Sequence, residues 1–263
     1  MFEKYYLPIP DADAYLRRIG ITEKKAPSLD FLNELIYAHQ THVPFENVSQ
    51  CVTKEEVRLE IDYLFNKIVV NKRGGYCFEL NCLFQSLLSE LGFYAYPIFA
   101  KVVMGRELTS RIPILHRATA VKLGDEYYFC DVGFGGAMPA GALLIDENNP
   151  HEIKGDSYKI IRYDEKWYTI YHMDKNGSWN HMLQFSLEPQ ENIYFMPLSA
   201  YGSLSKECPF TYILMVNMRT PTGSCSINDR TFTLRENGQV TRTEIKDEAE
   251  LKSILKKYYD ISV

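Results

Sequence analysis

The first residue in this chain that could do covalent chemistry is a cysteine that follows two glycines and opens an apolar helix. It stands in Arg73-Gly74-Gly75-Tyr76-Cys77-Phe78-Glu79-Leu80-Asn81. The glycine pair supplies a tight, permissive turn. From Leu80 onward, Leu83, Phe84, Leu87, Leu88 and Leu91 repeat at helical spacing until Gly92. That pattern predicts a core-facing helix with a glycine stop. Cys77 lies three residues before Leu80 and seven before Phe84, so it belongs to the buried stripe. It also sits at the positive end of the helix, where free N–H groups and the macrodipole favour a thiolate. A thiol of ordinary pKa, about 8.5, needs that help to act as a nucleophile near neutrality. A buried structural cysteine would satisfy the same pattern, and what separates the two is whether the fold brings a base to the sulfur.

His116 and Asp131 supply one. Residues 116–123 and 127–132 read as strands joined at Gly124-Asp125, a two-residue hairpin signal. With that turn Leu123 stands opposite Glu126, Ala118 opposite Asp131 and His116 opposite Gly133. Opposed residues share a face, as do residues two apart along a strand, so His116 and Asp131 become diagonal neighbours on one face. A four-residue turn keeps that parity and a three-residue turn breaks it. A carboxylate beside an imidazole fixes its tautomer and raises its basicity, as a general base for a thiol requires. Cys77, His116 and Asp131 together form the acyl-transfer constellation of thiol enzymes. Without the cysteine, His116 reads as a satisfied core histidine and Asp131 as a strand-end turn former.

Other segments carry weaker signals. Val132-Gly133-Phe134-Gly135-Gly136 lets backbone approach a ligand, which makes Gly135 a cofactor-binding candidate, although no dinucleotide pattern or following helix is present. Lys101, Arg106, Arg111, Arg117 and Lys122 fall within 22 residues that hold one acid, Glu107. Such a segment can neutralise a phosphorylated ligand, with Lys101 and Arg106 as candidates, and a solvated face accounts for most of its charge. His39-Gln40-Thr41-His42 and Cys77/Cys82 lack a zinc-type partner set, so no metal site is expected. Pro44-Phe45-Glu46-Asn47 reads locally as a turn.

The elements that must position these residues fall into three parts. Apolar spacing predicts helices over 11–18, from Ser28 to before Pro44, over 54–67 and from Cys77, giving a helical unit over 1–92. Short β-branched or aromatic runs at 94–103, 116–123, 127–132, 158–163 and 167–172 predict an antiparallel sheet or small barrel over 93–188. Residues 189–263 mix a polar helical stretch, a strand at 212–218, a hairpin over 231–243 and a closing helix over 247–259. The chain of 263 residues allows ample core, and its formal charge of −5 argues against a general nucleic-acid binder. The start has no apolar leader pattern and the longest apolar run is too short to span a membrane, so a soluble cytoplasmic protein with reduced thiols is expected. Asn47-Val48-Ser49 and Asn176-Gly177-Ser178 are then chance matches to the glycosylation pattern.

Residues 73–81 resemble the active-site signature of the arylamine N-acetyltransferases, RGGxCxxxN, with FELN common in bacterial members. Tyr15-Leu16-Arg17-Arg18-Ile19-Gly20, Pro44-Phe45-Glu46-Asn47, His116 and Asp131-Val132-Gly133-Phe134-Gly135 fit the same family in order. The likeness covers about residues 11–140, with Cys-to-His and His-to-Asp steps of 39 and 15. It implies an α+β fold: an N-terminal helical bundle, a central antiparallel β-barrel and a C-terminal α/β lid around a cysteine-protease-like Cys/His/Asp core. It also implies ping-pong transfer of acetyl from acetyl-CoA, through a Cys77 thioester, to a small aromatic amine or hydrazine. His116 would then be the base and Asp131 its partner, with Phe45 and Phe134 as aromatic walls and backbone near Cys77 and Val102 as oxyanion donors. Arg18, Glu46 and Arg73 would form an ion network beneath. Two departures stand out: Arg117-Ala118-Thr119-Ala120-Val121 where the family carries an aliphatic run, and only a faint echo of its third-domain signature over 192–210.

Three competing readings use the same residues. A thiol hydrolase or peptidase would accept water or peptide in place of amine, and a macrolactam-forming amide synthase would close rings. A thiol-bearing binding protein would leave Cys77 unreactive. Partners are expected to be small molecules, with no nucleic acid and no membrane, and the chain a monomer or weak homodimer.

Overall fold

The computed structural model describes residues 2–135 and 138–262. Gly136, the last glycine of the loop after Asp131, lies outside the described residues, as do Met1, Ala137 and Val263. Side chains start the first two helices: Asp11 accepts from the Ala14 N–H and Ser28 from the Phe31 N–H, supplying partners for otherwise orphaned donors. They cap α1 (Ala12–Arg18) and α2 (Leu29–His42). Next come β1 (Phe45–Glu46), α3 (Ile61–Phe65) and α4 (Cys77–Glu90). Leu80, Leu83, Phe84, Leu87 and Leu88 of α4 are fully buried against Phe31, Leu32, Leu35 and Ile36 of the same core.

The helix expected over 54–67 forms only from Ile61, then widens into a π-type turn over Asn66–Val70. Its apolar stripe is real, with Ile61, Leu64 and Phe65 buried. Upstream the backbone is diverted: Lys54 takes a left-handed φ of 56° and Glu60 is extended. Glu60 holds Lys4 at 2.7 Å and Arg58 at 3.2 Å, contacts that a continuous helix would not offer.

Eight antiparallel strands then form a nearly closed barrel. They are β2 (Tyr94–Val102), β3 (His116–Leu123), β4 (Glu126–Cys130), β5 (Leu143–Leu144), β6 (His151–Ile153), β7 (Asp156–Arg162), β8 (Tyr168–Met173) and β9 (Trp179–Phe185). The order is β5-β4-β3-β2-β9-β8-β7-β6. Small residues on the inner face, Ala100, Ala118 and Ala120, make room for Phe129, Tyr158 and Phe185. Sequence reading missed β9, which bridges β2 and β8; its polar residues and the register shift at Ile170/Tyr171 blur the period-two pattern.

The rest builds α5 (Phe195–Leu204), a second sheet and α6 (Glu248–Tyr259). The stretch expected to be a polar helix is instead apolar, and its Phe195 is fully buried beside Phe78 and Phe99. The second sheet joins β10 (Met215–Thr220), β11 (Gly223–Asn228), β12 (Thr231–Glu236) and β13 (Gln239–Glu244) behind β1. The strand expected at 212–218 therefore begins later, and β11 was not anticipated. Segment 44–47 is not merely a turn: Phe45 pairs with Asn217 and Glu46 with Val216, partners too distant in sequence for a local pattern to reveal. Glu46 also donates its N–H to the Gly75 carbonyl at 2.8 Å. A side chain at Gly74 would meet the Pro44 carbonyl at 2.1 Å, so this crossing requires glycine. Among the described residues, no helix is long and apolar enough to cross a membrane.

Two ion pairs sit under the start of α4. Lys67 meets Glu79 at 2.7 Å and Arg73 meets Glu46 at 2.9 Å, with both carboxylate side chains fully buried. Burial alone would lower the Lys67 pKa, but Glu79 and Glu46 outweigh it and push the ammonium up. Glu79 also accepts the Tyr76 N–H at 3.1 Å, so the pair fixes the first turn of the helix. Removing one partner strands a buried charge. Lys67→Met should therefore lower unfolding stability by about 3–5 kcal/mol, measured by urea titration. A further Glu79→Leu change should recover part of that loss, whereas additive losses would refute the account.

Candidate active site

Tyr76 enters α4 in an extended conformation, which leaves Cys77 as the first helical residue, only 2% exposed. His116 begins β3, and β3 pairs with β4 in the register expected from the Gly124-Asp125 turn, Leu123 opposite Glu126 and Thr119 opposite Cys130. His116 and Asp131 thus fall on one face, and His116 Nε2 meets Asp131 Oδ2 at 2.5 Å. That leaves Nδ1 as the ring nitrogen available to Cys77, whose sulfur is near enough to help raise the His116 pKa. The Cys77 sulfur also lies 3.8 Å from the Leu115 carbonyl.

Asp131 has its second oxygen occupied too. Asn81 Nδ2 and the Gly133 N–H each donate to Oδ1 at 2.8 Å. Asn81 closes the clamp by donating to the Arg117 carbonyl at 2.6 Å and accepting the Val132 N–H at 3.0 Å. Asn81 is four residues after Cys77, one helical turn, so the helix that carries the thiol also carries the clamp. That spacing was visible in the sequence, where Asn81 entered only as part of a motif. Gly133 presses on the same spot: a Cβ there would lie 2.9 Å from Cys77 Cα.

The electrostatics follow. Burial would lower the His116 pKa, but the Asp131 carboxylate and then Cys77 outweigh it and raise it to about 10. The imidazole therefore keeps its proton at neutral pH and presents an N–H, and a positive charge, to the sulfur. His39, by contrast, lies between Tyr15 and Phe84 with neither ring nitrogen bonded, and burial pushes it down to about 3.

Beside this cluster a cavity of about 660 Å³ is lined by Phe45, Asp131, Phe134 and Gly135. Phe134 stands edge-on to His116 at 5.7 Å between ring centroids, and Phe45 lies 6.1 Å from Phe210. Val102 ends β2 two residues beyond Ala100, the partner of His116, and so shares the face of His116.

Other expected residues lie elsewhere. Lys101 does not line the cavity; its ammonium covers the Trp167 ring at 3.9 Å. Arg106 is exposed, and its carbonyl meets His181 at 2.6 Å. Arg18 does not join Glu46 and Arg73; it donates to the carbonyls of Ile68, His42 and Lys72. Arg117, read among the surface charges, is fully buried, its guanidinium 4.6 Å from the Phe195 ring and 2.7 Å from Asn192 Oδ1. Sequence reading also missed Gln40, which donates to the Asp131 and Pro139 carbonyls at 3.1 and 2.9 Å. Among the described residues no group of three or more metal-ligating side chains occurs.

Known proteins share this arrangement of elements. A family model described as N-acetyltransferase matches residues 28–263. An arylamine N-acetyltransferase of Escherichia coli K12 is 26% identical over 256 residues, covering 97% of this chain and 90% of its own. One from Mycolicibacterium smegmatis is 28% identical over 231 residues, covering 87% and 83%. A Mycobacterium marinum arylamine N-acetyltransferase, solved in complex with CoA, superposes with a TM-score of 0.87 at 25% identity, over 95% of this chain and 93% of that one. With its Cys77 helix, barrel and second sheet all inside the matched region, the chain belongs to the N-acetyltransferase family of which these arylamine N-acetyltransferases are members.

Proposed function

We propose that this chain carries acetyl from acetyl-CoA to an aromatic amine or hydrazine by a ping-pong route through a thioester on Cys77. The observation that carries the reading is the buried set of Cys77, His116 and Asp131 beside an aromatic-walled cavity. Family membership and the CoA complex of the Mycobacterium marinum relative support CoA as the acetyl carrier.

In the first half-reaction the Cys77 thiolate, paired with the His116 imidazolium, attacks the thioester carbonyl. Backbone N–H groups near Cys77 and Val102 hold the oxyanion. Collapse breaks the bond to CoA, which leaves as a thiol with a proton from His116. In the second, His116 accepts the proton of the amine as its nitrogen attacks acetyl-Cys77, and the amide and free thiol separate. Asp131 acts through His116, holding its ring and tautomer. Phe45 and Phe134 flank the flat acceptor, and Gly135 lets backbone approach the ligand. Arg73 and Glu46 hold the glycine turn that delivers Cys77.

Intact mass after brief exposure to acetyl-CoA should show one added acetyl group that Cys77→Ser lacks and an arylamine discharges. His116→Ala should slow its formation by about 10²–10⁴-fold. Release of CoA without a lasting adduct would instead indicate a hydrolase. Unfolding supplies an independent check. The unfolded chain gives up the His116 proton near 6.5, whereas the folded one keeps it to about 10. The resulting stabilisation is complete below 6.5 and is lost as pH rises towards 10, by up to ~1.4 kcal/mol per pH unit. Asp131→Asn should flatten that slope in urea unfolding measured across the window, and a parallel slope would refute the assignment.

A further inference from the structure

The connection from β4 to β5 carries Asp131, Phe134 and Gly135, all of which line the cavity. Among its described residues, 132–135 and 138–142, no backbone group pairs with another backbone group. Side chains from other elements take that place. Asn81 accepts the Val132 N–H at 3.0 Å, and Asn33 accepts the Ala142 N–H at 2.8 Å. Asn217 of β10 donates to the Gly135 carbonyl at 3.1 Å, and Arg219 Nη2 to the Met138 carbonyl at 2.8 Å.

Gln40 joins the two ends of this connection. Its Nε2 donates to the Asp131 carbonyl at 3.1 Å and to the Pro139 carbonyl, eight residues later, at 2.9 Å. Its Oε1 accepts from Arg219 Nε at 3.1 Å, so both N–H bonds and the oxygen of the amide are committed to protein. Asn33 and Gln40 are seven residues apart on α2, two helical turns, and so meet the connection from one face. Asp131 and Pro139 are both buried, where a carbonyl that loses its donor bears the cost of desolvation.

The connection in turn sets the two aromatic walls. Phe134 stands edge-on to His116, 5.7 Å between ring centroids. A Cβ on Gly135 would lie 2.6 Å from the Phe45 ring, so the backbone there rests on the other wall. The Asp131 carboxylate has its own holders in His116, Asn81 and the Gly133 N–H. Loss of the Gln40 amide therefore leaves the carboxylate gripped and loosens the chain from Phe134 to Pro139.

We propose that Gln40 is a positioning residue for the second half-reaction: by tying residue 131 to residue 139 it fixes the gap between Phe45 and Phe134 that receives the acceptor ring. This rests on the acyl-transfer reading of Cys77 given above. Gln40 acts through the connection and makes no bond to the acceptor.

The test is discharge of pre-formed acetyl-Cys77 by 4-methylaniline, followed by intact mass as the amine concentration is varied. Gln40→Met keeps the length of the side chain and removes its hydrogen bonds. The amine concentration for half-maximal discharge should rise about tenfold, while the limiting discharge rate and the rate of loading by acetyl-CoA stay within about threefold. Asn217→Ala, which frees only the Gly135 carbonyl, should raise the same concentration less. Amide hydrogen exchange in Gln40→Met should quicken over 132–142 and stay unchanged in α4. An unmoved half-maximal concentration in Gln40→Met would overturn the proposal and leave Gln40 a structural brace. Slower loading and discharge at an unmoved concentration would overturn it too, by assigning Gln40 to the support of Asp131. Should Gln40→Met not fold, Asn217→Ala decides, and no rise there sinks the proposal. If the unaltered protein forms no acetyl-Cys77, the acyl-transfer reading falls, and exchange over 132–142 still decides whether Gln40 closes the connection.

Discussion

A carboxylate buried at the end of a barrel needs enough donors to stay charged, and Asp131 finds them in three separate pieces of chain. His116 comes from β3, Asn81 from the first turns of α4, and the Gly133 N–H from the loop that follows Asp131. An uncompensated carboxylate in such a place would be expensive, so the three pieces must converge. Cys77 sits on one of them, and its distance from His116 is therefore set by the needs of Asp131. Asn81 is the joint: one amide touches the carboxylate, the backbone of β3 and the backbone beyond β4.

The other end of the same helix turn is fixed by charge of the opposite arrangement. Glu79 lies two residues past Cys77, accepts the Tyr76 N–H and meets Lys67. A buried ion pair contributes little net stability, because desolvation consumes most of the Coulomb gain. What it contributes here is position. Glu79 occupies the helix terminus that favours an anion, and Arg73 with Glu46 pins the glycine turn just before it. The nucleophile is held from both sides by groups that lose much if they shift.

How much of this was legible depended on the range of the contact. Cys77 at a helix start, the six-residue apolar stripe of α4 and the hairpin register all follow from spacings within about twenty residues, and the structure has them as read. The pairing of β1 with β10 joins Phe45 to Asn217, and nothing local distinguishes such a strand from a turn. Residues 54–60 failed for a related reason: Glu60 answers to Lys4, a partner outside any local window. Charge was the poorest guide. Five basic residues between 101 and 122 looked alike in sequence, yet Lys101 covers a tryptophan and Arg117 is fully buried among Gln85, Asn192 and Phe195. Arg219 stood in a plain polar–apolar alternation with Val216, Asn217 and Met218, and only its partner strands gave that alternation a cavity to face.

The division of labour between the two sheets follows from these contacts. Residues that hold the sulfur, imidazole and carboxylate lie on α4, β3 and the loop after β4, where each polar atom has a fixed partner and substitution strands a buried group. The β10–β12 face meets the cavity with side chains whose hydrogen-bonding capacity is only partly used, while its opposite face packs on α6. In the proposed ping-pong reaction the donor would depart before the acceptor enters, so one cavity would serve both ligands. A wall built on a separate sheet can then change its charge and shape, and with them the choice of acceptor, while the clamp around Asp131 stays as it is. The Gln40 bridge between Arg219 and the Asp131 carbonyl is the one point at which the two requirements touch.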